Sequence, residues 1–169
     1  MGDLESFHAF VRTHSRALAR SAWLLTGDWS SVDDLLQITL ERSWQNWQRI
    51  ENADDDVAYV RRVLINTFLS SRRRRWHDEV PTDEVPETVV GDEAADADVR
   101  ESVRAAMTAL PPGQRAVIVL RYFNDLTEAQ TAEVLRCSIS TVKSQSAKAF
   151  RKLRAMPSMS ELFREEVTS

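Results

Sequence analysis

Between residues 100 and 155 the chain holds ten lysines and arginines against four acids. Within that stretch Lys143, Lys148, Arg151, Lys152 and Arg154 recur at spacings that bring most of them to one side of a helix, with Ser144 and Gln145 among them. Lysine and arginine at such positions neutralise phosphates, and a glutamine near a helix N-terminus can form two hydrogen bonds to an adenine edge. The chemistry indicated is binding of duplex nucleic acid. An ordinary solvated basic helix carries the same charges, so the pattern by itself indicates a DNA-binding module and nothing narrower.

A second cationic group is the block Arg72, Arg73, Arg74 and Arg75, preceded by Asn66, Ser70 and Ser71 and followed by Trp76. Four consecutive arginines neutralise phosphates of a polyanion. A nonspecific polyanion patch is the plainer reading of four arginines. A third group has the opposite sign. Asp33, Asp34, Gln37 and Glu41 lie on one helical stripe by their spacing, with Trp44 further along, and present acceptors to a basic partner surface. Two early aspartates also compensate a helix dipole, which accounts for them but not for Gln37.

The net charge of −4 conceals this division. Residues 78–99 hold nine acids and neither lysine nor arginine, so two modules with basic surfaces are joined by an acidic strap. Catalytic chemistry is not indicated. His8, His14 and His77 are scattered and in no metal-ligand spacing, and no glycine-rich phosphate loop or nucleophile signature occurs. The expectation is a protein that is not an enzyme and carries no cofactor and no metal. The single cysteine, Cys137, permits no internal disulfide, which suits a reducing cytoplasm. Neither a signal peptide nor a membrane-spanning run is read in the sequence.

These groups need elements to hold them. Four glycines, five prolines and an absence of alternating apolar runs predict an all-α chain. A first helix is expected over Leu4 to Leu25, with Phe7, Val11, Leu18, Ala22 and Leu25 on one face and Gly27 as its stop. A second is expected after an N-cap at Ser30 or Ser31, with Asp33 and Asp34 in its first turn and an apolar series Val32, Leu36, Leu40, Trp44, Trp47. A third, beginning after Asp54–Asp56, carries Val57, Val60, Leu64 and Phe68 inward and ends in the arginine block. From His77 to about Ala97 the composition predicts a flexible segment. Helical periodicity resumes at Val99 and breaks at Pro111-Pro112. Helices are then expected over Gly113–Phe123, Glu128–Leu135 and Thr141–Arg154, the last capped by Ser140 or Thr141. The segment LTEAQTAEVLRCSISTVKSQSAKAFRKLR thus reads as a helix-turn-helix, with Ile139 plugging the angle between its helices.

Beyond this point the chain resembles a known family. ALPPGQRAVIVLRYFNDLTEAQTAEVL with STVKS and AFRKLR is similar to the promoter-reading C-terminal domain of sigma factors, and also to LuxR-type regulators. DDLLQITLERSWQNW and AYVRRVLINTFLSSRRRRW decide for the former, resembling the sigma-factor helices that bind the polymerase clamp and that read and open the minus-ten element. The resemblance spans about residues 5–155. It is to the sigma-70 family of RNA polymerase sigma factors, extracytoplasmic-function group, and the wording of WLLTGD and NTFLSSRRRR points to its actinobacterial sigma-E-like branch.

That resemblance implies two small helical domains joined by a flexible acidic linker: a region 2-like domain over 1–77, a linker over 78–98, a region 4-like helix-turn-helix domain over 99–155 and a short tail over 156–169. It implies core-polymerase binding through Asp33, Asp34, Gln37, Glu41 and Trp44. Minus-ten contact falls to Asn66, Ser70, Ser71, Arg72, Arg73, Arg74, Arg75 and Trp76, and minus-thirty-five contact to Ser140, Thr141, Lys143, Ser144, Gln145, Lys148 and Arg151. The implied partners are core RNA polymerase, through its beta and beta-prime subunits, promoter DNA and an anti-sigma factor, in the cytoplasm and without membrane insertion. Many relatives carry an acid where Ser70 stands and arginine where Gln145 stands, departures that imply promoter contacts of this chain's own. The linker reads equally as a nucleic-acid mimic threading the polymerase and as a soluble spacer. The rival is a stand-alone helix-turn-helix regulator that binds operator DNA without polymerase.

Overall fold

In the computed structural model the described residues are 2–75 and 94–157, and all their regular structure is helical. The chain separates into two compact units, Met1–Val85 and Pro86–Ser169.

The first unit is built from α1 (Gly2–Thr26), α2 (Trp29–Gln45), α3 (Trp47–Glu51) and α4 (Asp56–Arg75). Gly27 ends α1 with φ of 80°, a left-handed conformation that glycine takes without strain, and its N–H donates to Trp23 O at 2.8 Å. The next cap is Asp28, not Ser30 or Ser31. Its carboxylate accepts from Ser31 N at 2.7 Å and from the Ser31 hydroxyl at 2.8 Å, so α2 starts earlier and holds no acid in its first turn. Asp33 and Asp34 are thereby freed from a dipole role. Asp55 caps α4 in the same way, accepting from Ala58 N at 2.9 Å.

The buried stripe of α2 is Val32, Leu35, Thr39 and Ser43, one step round from the expected series. A strict four-residue repeat drifts around a helix, whereas this mixed spacing of three and four holds a face. Thr39 and Ser43 can be fully buried because each hydroxyl donates to a carbonyl of its own helix, Leu35 O at 2.7 Å and Thr39 O at 2.8 Å. Their small size lets neighbouring helices approach. Leu18, Ala22 and Leu25 of α1 are buried in the same unit, with Val60, Leu64, Ile65 and Phe68 of α4.

The sequence does not announce α3. Asn46 breaks the helix that would otherwise have run on to Trp47, and its N–H turns back to Ser43 O at 3.1 Å. The break carries Trp47 into the core, where its indole N–H donates to Ser6 Oγ at 2.8 Å and its ring meets Phe7 and Phe10 at 5.1 and 5.2 Å. Trp44 remains 42% exposed, tilted over Phe7.

The second unit holds α5 (Ala94–Ala109), α6 (Pro112–Ile118), α7 (Glu128–Leu135) and α8 (Ile139–Ala155). Residues 94–98, expected as linker, are the start of α5: acids that disfavour a packed core are welcome in the first turns of a helix. The rest of the acidic segment lies outside the described residues, as does the tail beyond 157. Buried Arg115 joins α5 to α6, donating from Nη2 to Thr108 O at 3.1 Å and Leu110 O at 2.8 Å. This satisfies carbonyls that the break at Pro111-Pro112 leaves open.

The helix expected over 113–123 instead becomes a π-turn from Val119 to Phe123, closed by Asn124 N donating to Val119 O at 3.0 Å. The wider turn leaves Tyr122 and Phe123 each 48% exposed, with Tyr122 edge-on to Phe150 at 4.9 Å.

Candidate functional site

Helix α7 spans the residues its sequence predicts, because Thr127 and Gln130 close a reciprocal capping box. Gln130 N donates to Thr127 Oγ1 at 3.1 Å, and Thr127 N donates to Gln130 Oε1 at 2.9 Å. Thr127→Ala is expected to cost about 1 kcal/mol, read as a lower urea midpoint of unfolding. The turn that follows is set by Arg136, left-handed with φ of 54°, and by Cys137 N donating to Ala132 O at 3.0 Å.

Ser138, not Ser140 or Thr141, caps α8, its hydroxyl accepting from Thr141 N at 3.1 Å. The angle between α7 and α8 is filled by Val117, Ala132 and Val142, with Leu135 and Cys137 packed against them. Ile139 does not plug it: starting the helix at residue 139 turns that side chain outward, and it is 45% exposed. Cys137 is half-buried, a small apolar residue in a tight corner.

Val142, Ala149 and Leu153 form the buried stripe of α8. Opposite it Ser140, Thr141, Ser144, Lys148 and Arg151 are exposed on one face. Lys143 and Gln145 stand at its two edges. Lys143 lies 3.7 Å from Glu128 at the start of α7, and Gln145 is half-buried. A helix-turn-helix with its second helix so exposed can enter a major groove, cations toward phosphates and short polar side chains toward base edges.

In the first unit, Asp33, Asp34, Gln37, Glu41 and Trp44 are all exposed along α2. Gln37 Nε2 donates to Glu41 Oε1 at 3.1 Å, which holds the amide in register along a row of acids. The row is acceptor-rich and suits a basic surface.

The minus-ten candidates divide over two sides of α4. Asn66 and Ser70 share a stripe by their four-residue spacing. Ser71 turns instead toward α2, its hydroxyl donating to Phe68 O at 2.8 Å, and the Arg72 guanidinium stands 5.5 Å from the Phe68 ring. Arg73, Arg74 and Arg75 continue the helix, and Trp76 lies outside the described residues. Arg62 extends the Asn66–Ser70 stripe by one more step of four, and a reading drawn to the arginine run passes over it. Its neighbour Arg61 is pulled below the ordinary arginine value by burial, with Asp55 opposing, yet it stays a cation at neutral pH.

Among the described residues no three His, Cys, Asp or Glu are placed to hold a metal ion, and no helix is long and apolar enough to cross a membrane.

Comparison with known proteins gives these faces a context. Residues 10–77 match the family model for sigma-70 region 2, and residues 100–153 match sigma-70 region 4. The RNA polymerase sigma-E factor of Streptomyces coelicolor is 38% identical over 91% of this chain and 87% of its own length. The ECF RNA polymerase sigma factor SigL of Mycobacterium tuberculosis is 35% identical over 86% of this chain and 85% of its own. A solved structure of the sigma factor RpoE from Bartonella quintana, in complex with the anti-sigma factor NepR, has the same fold. Its TM-score is 0.69 at 22% identity, covering 89% of this chain and 95% of that one. Two regional matches in sequential order and close relatives over nearly the full length make one conclusion plain: the chain belongs to the sigma-70 family of RNA polymerase sigma factors, in the extracytoplasmic-function group.

Proposed function

We propose that this sigma factor binds core RNA polymerase through the exposed row Asp33, Asp34, Gln37, Glu41 and Trp44 of α2 and directs transcription from promoters that it reads with its other two surfaces. Helix α8 enters the major groove of the minus-thirty-five element. Lys143, Lys148 and Arg151 neutralise phosphates there, and Ser140, Thr141, Ser144 and Gln145 face the bases. In the first unit Asn66, Ser70 and Ser71, with Arg72 to Arg75 and Trp76, contact the minus-ten element and hold its separated strand. Residues 1–77 and 94–155 are the two working modules, with 78–93 as the connection and 156–169 as a tail. The chain works in the cytoplasm. RNA synthesis is the polymerase's chemistry, and this chain contributes selection and opening of the promoter without cofactor or metal.

One observation carries the reading. Opposite a buried stripe, α2 presents an acidic exposed row and α8 a basic one, so one chain offers two surfaces of opposite charge to partners of opposite charge. The excess of acids over the whole chain then keeps binding to free DNA weak and salt-sensitive, and polymerase supplies the remaining affinity. The Bartonella sigma factor of the same fold was solved in complex with an anti-sigma factor, and an anti-sigma factor is the further partner expected here.

The test is reconstituted transcription: purified chain, bacterial core polymerase and a promoter library. The expected result is a defined set of transcripts that requires the chain. Core polymerase giving the same transcripts with and without it would overturn the proposal.

A further inference from the structure

Helices α2 and α4 face each other across a cleft of about 360 Å³, and its two walls belong to the two working surfaces of the first unit. Asp34 and Gln37 of α2 line one side, and Thr67, Ser71 and Arg72 of α4 the other. Docking on polymerase and contact with DNA are therefore assigned to opposite lips of one groove, and the spacing of the lips sets how the two surfaces are presented together.

Packing brings α2 and α4 together through Val32 and Leu35 on one side and Leu64 and Phe68 on the other. The buried α2 residues Thr39 and Ser43 are small, and their hydroxyls are spent on carbonyls of their own helix, so they give α4 no directional contact. Interdigitated side chains set the crossing of two helices, and a hydrogen bond between them adds a directional constraint on rotation. A directional bond does run between the helices. Arg42, largely exposed on α2, reaches inward, and its Nη1 donates to Thr67 Oγ1 at 3.1 Å. Thr67 is buried, beside Asn66 in sequence and one helical turn before Ser71.

We propose that Arg42 is a positioning residue, touching neither polymerase nor DNA, whose bond to Thr67 fixes the rotation of α4 against α2. It thereby aims Asn66 and Ser70 at the minus-ten strand once α2 is docked. The assignment rests on the functional reading above. Its chemistry is specific: a guanidinium has the reach and the fixed donor geometry to hold one hydroxyl from the neighbouring helix. Because Arg42 is largely exposed, its removal leaves no buried charge behind. What it takes away is the inter-helix donor to the buried Thr67 hydroxyl, so some loss of stability accompanies the change in geometry.

The experiment compares wild type, Arg42→Met, Thr67→Val and the double variant, all with core polymerase. Three readouts are taken: affinity for core polymerase, thermal midpoint, and promoter opening followed by 2-aminopurine fluorescence within the minus-ten element. Both single variants are expected to keep wild-type polymerase affinity and to lose a few degrees of thermal midpoint at most, while the opening step falls by about tenfold or more, as a small misalignment of reacting groups does. The double variant should open no more slowly than either single one, because both remove the same bond. Additive losses, opening at the wild-type rate, or opening falling together with more than a few degrees of thermal midpoint would overturn the positioning role. Wild type that neither binds polymerase nor opens DNA would overturn the functional reading itself, which separates the two failures.

Discussion

Phe68→Ala is expected to destabilise the first unit by about 3–5 kcal/mol, the cost of emptying a large aromatic from a packed interior. Phe68 is 1% exposed and is among the largest fully buried side chains described, in a unit that also buries Leu25, Val32, Ile50 and Leu64. A domain's whole stability is about 5–15 kcal/mol, so the variant stands near the edge of folding at growth temperature. The check is urea unfolding followed by tryptophan fluorescence, which Trp47 in that core makes sensitive. The midpoint should fall sharply while the slope stays unchanged. Ser70→Ala, at an exposed position on the same helix, should stay within about 0.5 kcal/mol of wild type. A Phe68→Ala protein as stable as wild type would mean that α4 does not pack as described.

The second large effect is functional. Lys148→Glu together with Arg151→Glu should reduce transcription from promoters that depend on the upstream element by about a hundredfold or more. Two hydrogen bonds from cations to phosphates are lost, each at about 1.5–3 kcal/mol, and two repulsive charges replace them. Both residues are exposed, opposite the stripe Val142, Ala149 and Leu153, so folding and polymerase binding should be unaffected. The dependence of promoter binding on salt should also weaken, by about 0.9 in log–log slope for each phosphate contact removed. Unchanged transcription in the double variant would remove α8 from DNA.

Much of this was legible in the sequence, and the reasons differ from element to element. Helix α7 matches its expected bounds because its signals are local: the capping box between Thr127 and Gln130, three residues apart, needs nothing from the rest of the fold. The family was legible because its motifs cover nearly the whole chain in order. Helix starts were misplaced where several polar residues compete for one cap. Asp28 outdid Ser30 and Ser31, and Ser138 outdid Ser140 and Thr141. In each case Gly27 or the left-handed Arg136 had already ended the previous helix close by, so the first polar residue after the stop became the cap.

The inward face of α2 differs from its apolar series because Thr39 and Ser43 take inward positions. A hydroxyl that bonds within its own helix behaves as a small buried group, and composition does not reveal that choice. The π-turn at Val119–Phe123 was hidden for a similar reason. It widens a helix by one backbone bond, and apolar periodicity reads almost the same through it. The minus-ten candidates were legible as a group but not as a surface, because Ser71 and Arg72, adjacent to Ser70 in sequence, point to other sides of α4. Arg42 carried no sequence signal, since its partner is 25 residues away.

The central claim is that α2 docks this chain on RNA polymerase, and the direct measurement is gel filtration and pull-down with bacterial core enzyme, comparing wild type with Asp34→Arg plus Gln37→Ala. Both residues are exposed, so the pair should fold as wild type does while one acceptor becomes a cation and the other is lost. The account predicts stoichiometric co-elution of wild type with core polymerase and loss of that complex in the variant. Equal binding by both proteins would contradict it. So would wild type that ignores polymerase and binds duplex DNA tightly on its own, the behaviour of a stand-alone regulator.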